Sequence, residues 1–411
     1  MTAANVLDIL EERGFVKDAS DLEGLRRALE RPIAVYCGYD ATAESLHVGN
    51  QMGLMALAWL QRFGHRPIAL MGGGTTMVGD PSGKSAERPM LTREAIEENV
   101  ARLKPQLEPF VRFDQGGLLL NNADWLLDLR LVPFLRDIGS RFTINHMLAH
   151  ETYRMRLEQG GLSFLEFSYQ LLQGYDFLHL FRTQECLLQL GGSDQWANIL
   201  AGVDLIRRME GVQAFALVTP LLTTAGGQKM GKSEQGAVWL NPQLLSPYEY
   251  FQFWMNVEDA DVERFLAIYT FLPMEKVREL GALKDADVRQ AKEILAVEVT
   301  AIVHGRAEAE TALATSRALF SGEGEAADAP TTDISKDAVG GGLNAVDLLT
   351  EMGLVSSRRE ARRLIDQGGL SIGGKPVASP DESLVPAYIQ PDSESALLRV
   401  GKKRYRRVRF V

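Results

Sequence analysis

Cysteine is scarce. The chain of 411 residues holds two, Cys37 and Cys186, far apart and each inside an apolar run. A disulfide framework and a cysteine-built zinc site are therefore excluded, and two buried thiols in a reducing compartment are expected. Histidine is nearly as rare, at six residues. His146 and His150 stand four apart, but no acidic residue completes a metalloprotease motif, so no protein metal site is expected. No uninterrupted apolar stretch approaches the roughly 18 residues that a membrane span requires. The start of the chain shows no charged segment followed by an apolar run. A cytoplasmic protein with no membrane partner is the expectation. Nor does any Ser–His–Asp arrangement suggest nucleophilic catalysis by a side chain.

What is present is an ordinary globular composition, 45% hydrophobic and 24% charged. The length is too great for one core and predicts two or three domains. Net charge is −10, yet its distribution is uneven. Residues 343–411 carry 12 Lys+Arg against 8 Asp+Glu, a net of +4, which leaves −14 for the rest. An acidic body with a basic end points to a polyanion bound at that end.

The first 30 residues read as two short amphipathic helices, over 6–13 and 22–30. Residues 31–38 form a β-rich apolar run ending in glycine, followed by a polar loop and a helical pattern over 48–63. A second run, 67–71, ends in Gly72-Gly73-Gly74. Strand, loop, helix, strand predicts a parallel α/β sheet, and 118–121, 187–190 and 214–218 supply further short strands. The stretch 246–320 has helical periodicity. Residues 321–342 are rich in Gly, Ala and acidic residues and read as a flexible linker to a compact module at 343–411.

Ligands bind at the carboxyl ends of the strands in such sheets. Two segments there carry chemistry. In Gly38-Tyr39-Asp40-Ala41-Thr42-Ala43-Glu44-Ser45-Leu46-His47-Val48-Gly49-Asn50, a helix starting near His47 would aim unpaired N–H groups at the loop. His47 and Asn50 would share its first turn, and Gly49 would let a ligand approach the backbone. In Lys229-Met230-Gly231-Lys232-Ser233, two lysines flank a glycine and can close cations over a polyphosphate.

The pair resembles the two signature motifs of class I aminoacyl-tRNA synthetases, and the wider chain resembles the bacterial tyrosyl-tRNA synthetase family. The matching pieces are Tyr36-Cys37-Gly38-Tyr39-Asp40, Gly79-Asp80-Pro81-Ser82-Gly83-Lys84, Phe167-Ser168-Tyr169, Leu172-Gln173-Gly174-Tyr175-Asp176-Phe177, Gly191-Gly192-Ser193-Asp194-Gln195-Trp196 and the run from Pro247-Tyr248 to Trp254. The carboxyl module resembles an S4 RNA-binding domain. The resemblance spans about 30 to 410.

It implies a Rossmann-like doubly wound parallel sheet over 1–245 with a dimerisation insert near 125–165, a helical domain over 246–320 and a small α+β S4-like domain over 343–411. It implies a homodimer that activates L-tyrosine with ATP, accompanied by Mg2+, and then transfers the tyrosyl group to tRNA(Tyr). No tightly bound cofactor is implied. Lys229, Lys232, Lys84 and Arg88 would serve as cations, and Thr42, His47 and Asn50 as hydrogen-bond donors. His47, Asn50 and Lys232 would face the phosphates. Asp40 and Asp194 would lie near the adenosine and ribose, with Gly38, Gly49 and Gly192 leaving room for the nucleotide. Tyr36 and Asp176 would bind the phenol, and Tyr169, Gln173 and Asp80 the α-ammonium. Positions 169, 173 and 176 share one helical face. Arg358, Arg359, Arg362, Arg363, Lys402, Lys403 and Arg404 would bind tRNA.

Three departures from the family pattern stand out. Asn50 replaces a common histidine, Ala41 a common proline and Met230 a common phenylalanine. Asn50 and Met230 also occur in tryptophanyl-tRNA synthetases, which makes tryptophan the alternative substrate; Tyr36, the Tyr175-Asp176 pair and the carboxyl module weigh against it. A silent RNA-binding relative is the other alternative, against which the retained His47, Asp80, Asp176, Lys229 and Lys232 weigh.

Overall fold

The structure is a computed structural model. It describes residues 5–82, 90–149, 151–159, 161–227, 230, 232–233, 236–321, 331–335, 342–355, 357–384, 388–389, 394–401 and 404–411. The chain divides into two compact units, residues 1–245 with 253–303, and residues 246–252 with 304–411.

The first unit is built on a six-stranded sheet: β1 (Asp18–Ala19), β2 (Ala34–Tyr39), β3 (Arg66–Met71), β4 (Leu118–Asn121), β5 (Cys186–Gly192) and β6 (Phe215–Thr219). Their order is β1-β6-β5-β2-β3-β4. All pairs are parallel except β1 with β6. The winding reverses between β2 and β5, and the crevice at such a reversal is where open α/β sheets bind ligands. The five parallel strands fall where the apolar runs predict them. The two-residue β1, which the sequence does not announce, closes the outer edge of β6. Apolar strand faces pack on helices Phe164–Gln184 and Trp196–Glu210 through Phe177, Leu178, Ile199, Val203 and Ile206. Cys37 and Cys186 are buried, unpaired thiols. Burial pushes them up to about 11 and about 12. Beyond the sheet, two short strands, β7 (Lys232–Ser233) and β8 (Gly236–Ala237), pair with each other.

Between β4 and β5 the chain inserts four short helices, Ala123–Leu126, Leu131–Asp137, Ile144–Ala149 and Glu151–Gln159. They lead into the 21-residue helix Phe164–Gln184. Ser163 and Glu166 form its capping box, and Glu166 also takes a buried ion pair from Arg156 at 2.8 Å.

The helices after the sheet are Pro247–Met255, Val262–Tyr269, Met274–Gly281, Val288–His304 and Arg306–Ser321. Rather than forming one body over 246–320, they divide between the two units. In the second unit a five-stranded sheet comprises β9 (Thr331–Ile334), β10 (Leu370–Ile372), β11 (Lys375–Pro376), β12 (Ser395–Val400) and β13 (Arg404–Phe410), in the order β11-β10-β12-β13-β9. It packs on helices Ala345–Glu351 and Arg358–Asp366 around Val346, Leu349, Ile365, Leu398 and Val408. The segment 321–342 is therefore not all linker. Thr331–Ile334 pairs in parallel with β13 and buries Ile334 in this core. Among the described residues no helix is long and apolar enough to cross a membrane.

Candidate active site

The carboxyl ends of β2, β3, β5 and β6 open into a cavity of about 290 Å3. Tyr36, Gly38, Asp40, His47, Gly49, Asn50, Asp80, Tyr169, Gln173, Asp176, Gly192 and Asp194 all line it. Residues drawn from widely separated stretches of sequence thus meet in one place.

One wall is the first turn of helix Val48–Arg62. His47 is its N-cap. Its Nδ1 accepts the N–H of Gly49 at 3.0 Å, and its own N–H donates to Asn50 Oδ1 at 3.1 Å. This reciprocal box fixes both side chains. With Nδ1 accepting, the neutral ring carries its proton on Nε2, and with Asn50 Oδ1 engaged, the amide NH2 is the group left to donate. A Cβ at Gly49 would lie 2.8 Å from the His47 ring, so only glycine permits the cap. The segment after the second motif is paired to this turn. Val48 N–H donates to Val238 O at 3.0 Å, Leu240 N–H donates to Leu46 O at 2.9 Å, and His47 bridges Trp239. Within the motif, Met230 is buried, and Lys232 and Ser233 form β7.

Another part of the lining is acidic. Asp40 accepts from Thr75 Oγ1 at 2.9 Å and from the Tyr169 hydroxyl at 3.1 Å. Asp80 is buried and accepts from Gln195 Nε2 at 2.7 Å and from the N–H of Ser82 at 2.9 Å. Asp176 accepts from Trp125 Nε1 at 2.7 Å and Asn122 Nδ2 at 2.8 Å. Burial pushes Asp176 up to about 7, against the two donors, which pull it down. Burial, then Asp40, Asp80 and Asp176, push the Tyr169 phenol well above its ordinary value. Among the described residues the hydroxyl of Tyr36 is buried without a hydrogen-bond partner, as are Gln173 Oε1 and Gln189 Oε1. Buried polar atoms without partners are costly, and here they line a cavity. Among the described residues no group of three or more His, Cys, Asp or Glu side chains is placed to hold a metal ion.

The profile of the tRNA synthetases class I (W and Y) family matches residues 28–321, and that of the S4 domain matches residues 346–386. The chain belongs to the class I tRNA synthetases. The synthetase is 48% identical to the tyrosine–tRNA ligase of Caldanaerobacter subterraneus subsp. tengcongensis over 98% of this chain and 99% of that one. It is likewise 48% identical to the tyrosine–tRNA ligase of Paracoccus denitrificans, over 99% and 98% of the two chains. Among solved structures, the C-terminally truncated mitochondrial tyrosyl-tRNA synthetase of Aspergillus nidulans is similar, with TM-score 0.70 and 32% identity over 77% of this chain and 95% of that one.

Some expected residues are not brought to the synthetase cavity. Thr42 is exposed on its loop and does not line it. Lys84, Arg88 and Lys229 lie outside the described residues, and of Lys232 only the backbone is described. Asp40, expected near adenosine, does line the cavity, where it accepts the Tyr169 hydroxyl. Sequence reasoning missed Asn122, Trp125, Thr75 and Asn198, which hold the three carboxylates. Asn122 and Trp125 follow β4, in no recognised motif; the only signal is a polar Asn121-Asn122 pair at a strand end.

In the S4-like module, Ser357 caps helix Arg358–Asp366 by accepting from the N–H of Glu360 at 3.2 Å. Arg358, Arg359, Arg362 and Arg363 are all exposed on it. Arg358 pairs with Asp347 and Arg362 with Asp381. Lys402 and Lys403 lie outside the described residues, and Arg404 opens β13.

Proposed function

We infer that this synthetase is a tyrosine–tRNA ligase, and that the observation carrying the substrate choice is the unpartnered Tyr36 hydroxyl beside Asp176 in a buried polar floor. A phenol hydroxyl donates to the Asp176 carboxylate and accepts from Tyr36. Phenylalanine would leave the Tyr36 hydroxyl desolvated and unpaired and deny the buried Asp176 carboxylate a further donor, which a site built for a hydroxyl penalises strongly. The α-ammonium is held by Asp80, Tyr169 and Gln173, with Asp40 adding negative charge through its bond from Tyr169.

Chemistry follows from that placement. The substrate carboxylate attacks the α-phosphorus of ATP. A carboxyl–phosphoryl bond forms, the α–β bridge breaks, and pyrophosphate leaves. The 3′-terminal ribose hydroxyl of tRNA then attacks the acyl carbon and releases AMP. Neither step requires a side-chain nucleophile, and orientation and charge supply the rate. His47 Nε2–H, Asn50 Nδ2–H and the helix N-terminus donate to the phosphates, and Lys84, Arg88, Lys229 and Lys232 contribute positive charge. Gly38 and Gly192 make room for adenosine, with Asp194 near the ribose. ATP enters as its magnesium complex.

We further propose a homodimer. The insert exposes Leu131, Val132 and Phe164 at 70, 74 and 80%, and Leu127, Leu135 and Ile144 are exposed on the same insert. So much apolar surface marks an interface. Val132→Asp should shift the sedimentation coefficient to that of the monomer. The S4-like module is proposed to bind tRNA through its exposed arginines. A reducing cytoplasm suits two buried, unpaired thiols.

The deciding measurement is exchange of pyrophosphate into ATP with each of the twenty amino acids. Exchange with tyrosine alone supports the assignment. Exchange with tryptophan would move it to the sister activity, and no exchange would leave only an RNA-binding role.

A further inference from the structure

The lysines of the second motif act only if the chain delivers them to the phosphates. The stem of that segment, residues 223–226, is held by residues outside both motifs, chiefly a pair in helix Val262–Tyr269 and its N-cap. Asp261 is that N-cap residue and is 3% exposed. An N-cap aspartate ordinarily accepts an N–H of its own first turn. Asp261 makes no such bond. Its Oδ2 instead accepts the backbone N–H of Ala225 at 2.8 Å, and its Oδ1 pairs with Arg264 at 2.6 Å. The same Arg264 nitrogen donates to the carbonyl of Thr223. One ion pair thus grips the main chain at residues 223 and 225. Glu258 adds a third grip by accepting the N–H of Gly226 at 3.2 Å. Immediately beyond, Gly227 takes φ +82°, two residues before Lys229 in the sequence.

The far end of the helix is fixed to the first motif. The Tyr269 hydroxyl donates to Val48 O at 3.2 Å, inside the first turn that His47 and Asn50 cap. Arg13 ties the same end down by donating to the carbonyls of Ala267 and Thr270. Phe265 and Tyr269 pack on Trp254, which holds the helix as a rigid strut. The strut spans from the stem of the lysine segment to the phosphate-facing helix turn.

We propose that Asp261 and Arg264 are positioning residues for adenylate formation, setting where the lysine-bearing segment starts relative to the His47–Asn50 turn. This rests on the ligase reading above. Neither residue lines the cavity; both touch the lysine-bearing segment only at its stem, so the loss is expected on the ATP side. A misplacement of about 1 Å can cost on the order of 100-fold in rate.

The test is pyrophosphate exchange with ATP and tyrosine varied separately, together with equilibrium dialysis of tyrosine in the absence of ATP. Asp261→Ala should lower kcat/KM for ATP by about 10- to 100-fold and leave the tyrosine dissociation constant within about twofold. Asp261→Asn keeps an acceptor for Ala225 and should recover a large part of the loss. If Asp261→Ala does not fold, Arg264→Gln carries the same test, because this guanidinium is 42% exposed and its loss leaves no buried cavity. An ATP parameter within about twofold of the parent in a folded variant would overturn the proposal, as would a parallel loss of tyrosine affinity, since a purely structural clasp moves both. A parent chain that fails to exchange with tyrosine overturns the ligase reading and this proposal with it; an active parent with indifferent variants overturns this proposal alone.

Discussion

Trp125 donates its indole N–H to Asp176 at 2.7 Å, and through that bond a residue outside every recognised motif favours the charged form of a carboxyl in the proposed phenol pocket. Burial holds the Asp176 acid at about 7, and the Trp125 and Asn122 bonds keep it from going higher. The ionised carboxylate is the better acceptor for a phenol hydroxyl. The KM for tyrosine should therefore fall as pH rises through about 7. Trp125→Phe should move that midpoint to higher pH, and an unmoved midpoint would refute the coupling. The stability consequence has the opposite sign. A carboxyl whose folded pKa lies above its unfolded value contributes stability that is present below pH about 4 and lost as pH rises through about 7. Asp176→Asn should gain stability relative to the parent as pH rises from about 4 to about 7, read from urea midpoints.

Tyr36→Phe should separate binding from folding. Its hydroxyl is buried and unpartnered, so removing it costs the folded chain no internal hydrogen bond and leaves Tm unchanged or higher. Loss of one neutral hydrogen bond to the ligand should weaken tyrosine by about 0.5–1.5 kcal/mol, read as KM or by dialysis. A fall in Tm without a change in KM would remove Tyr36 from the pocket.

Asn50→Ala removes the amide that accepts from His47 and leaves one arm of the capping box. A stability loss of about 1 kcal/mol is expected. The rate of tyrosine activation should also fall if the Asn50 amide donates to the phosphates as proposed. Unchanged activation in the folded variant would show that the amide takes no part in the step.

Arg359 and Arg363 sit four apart on the exposed face of helix Arg358–Asp366, whereas Arg358 and Arg362 are engaged by Asp347 and Asp381. Replacing Arg359 or Arg363 by Ala should weaken tRNA binding and lower the slope of log K against log salt by about one for each phosphate no longer neutralised. Arg362→Ala should cost less. A salt-independent affinity would argue against a phosphate-binding face.

The parallel strands were legible because each is a short apolar run, and the signature helix because its cap residues are local. The failures have physical causes. Thr331–Ile334 carries two threonines, an aspartate and one buried isoleucine; its pairing is imposed by β13, not by its own hydrophobicity. Asp18–Ala19 is two residues long and pairs with a strand about 200 residues away. Asn122, Trp125, Thr75 and Asn198 act by supporting other side chains, a role that residue spacing does not encode. Thr42 is polar and lies in the right loop, but only the backbone path decides that it faces water.

Cys37 stands in the cavity wall on β2, where its thiol is buried and held at about 11. At neutral pH only about one molecule in ten thousand would carry the thiolate, the form that attacks acyl groups. The mixed anhydride made in this cavity is a strong acyl donor. The same burial that packs Cys37 into the strand thus leaves its sulfur a poor nucleophile toward an acyl donor.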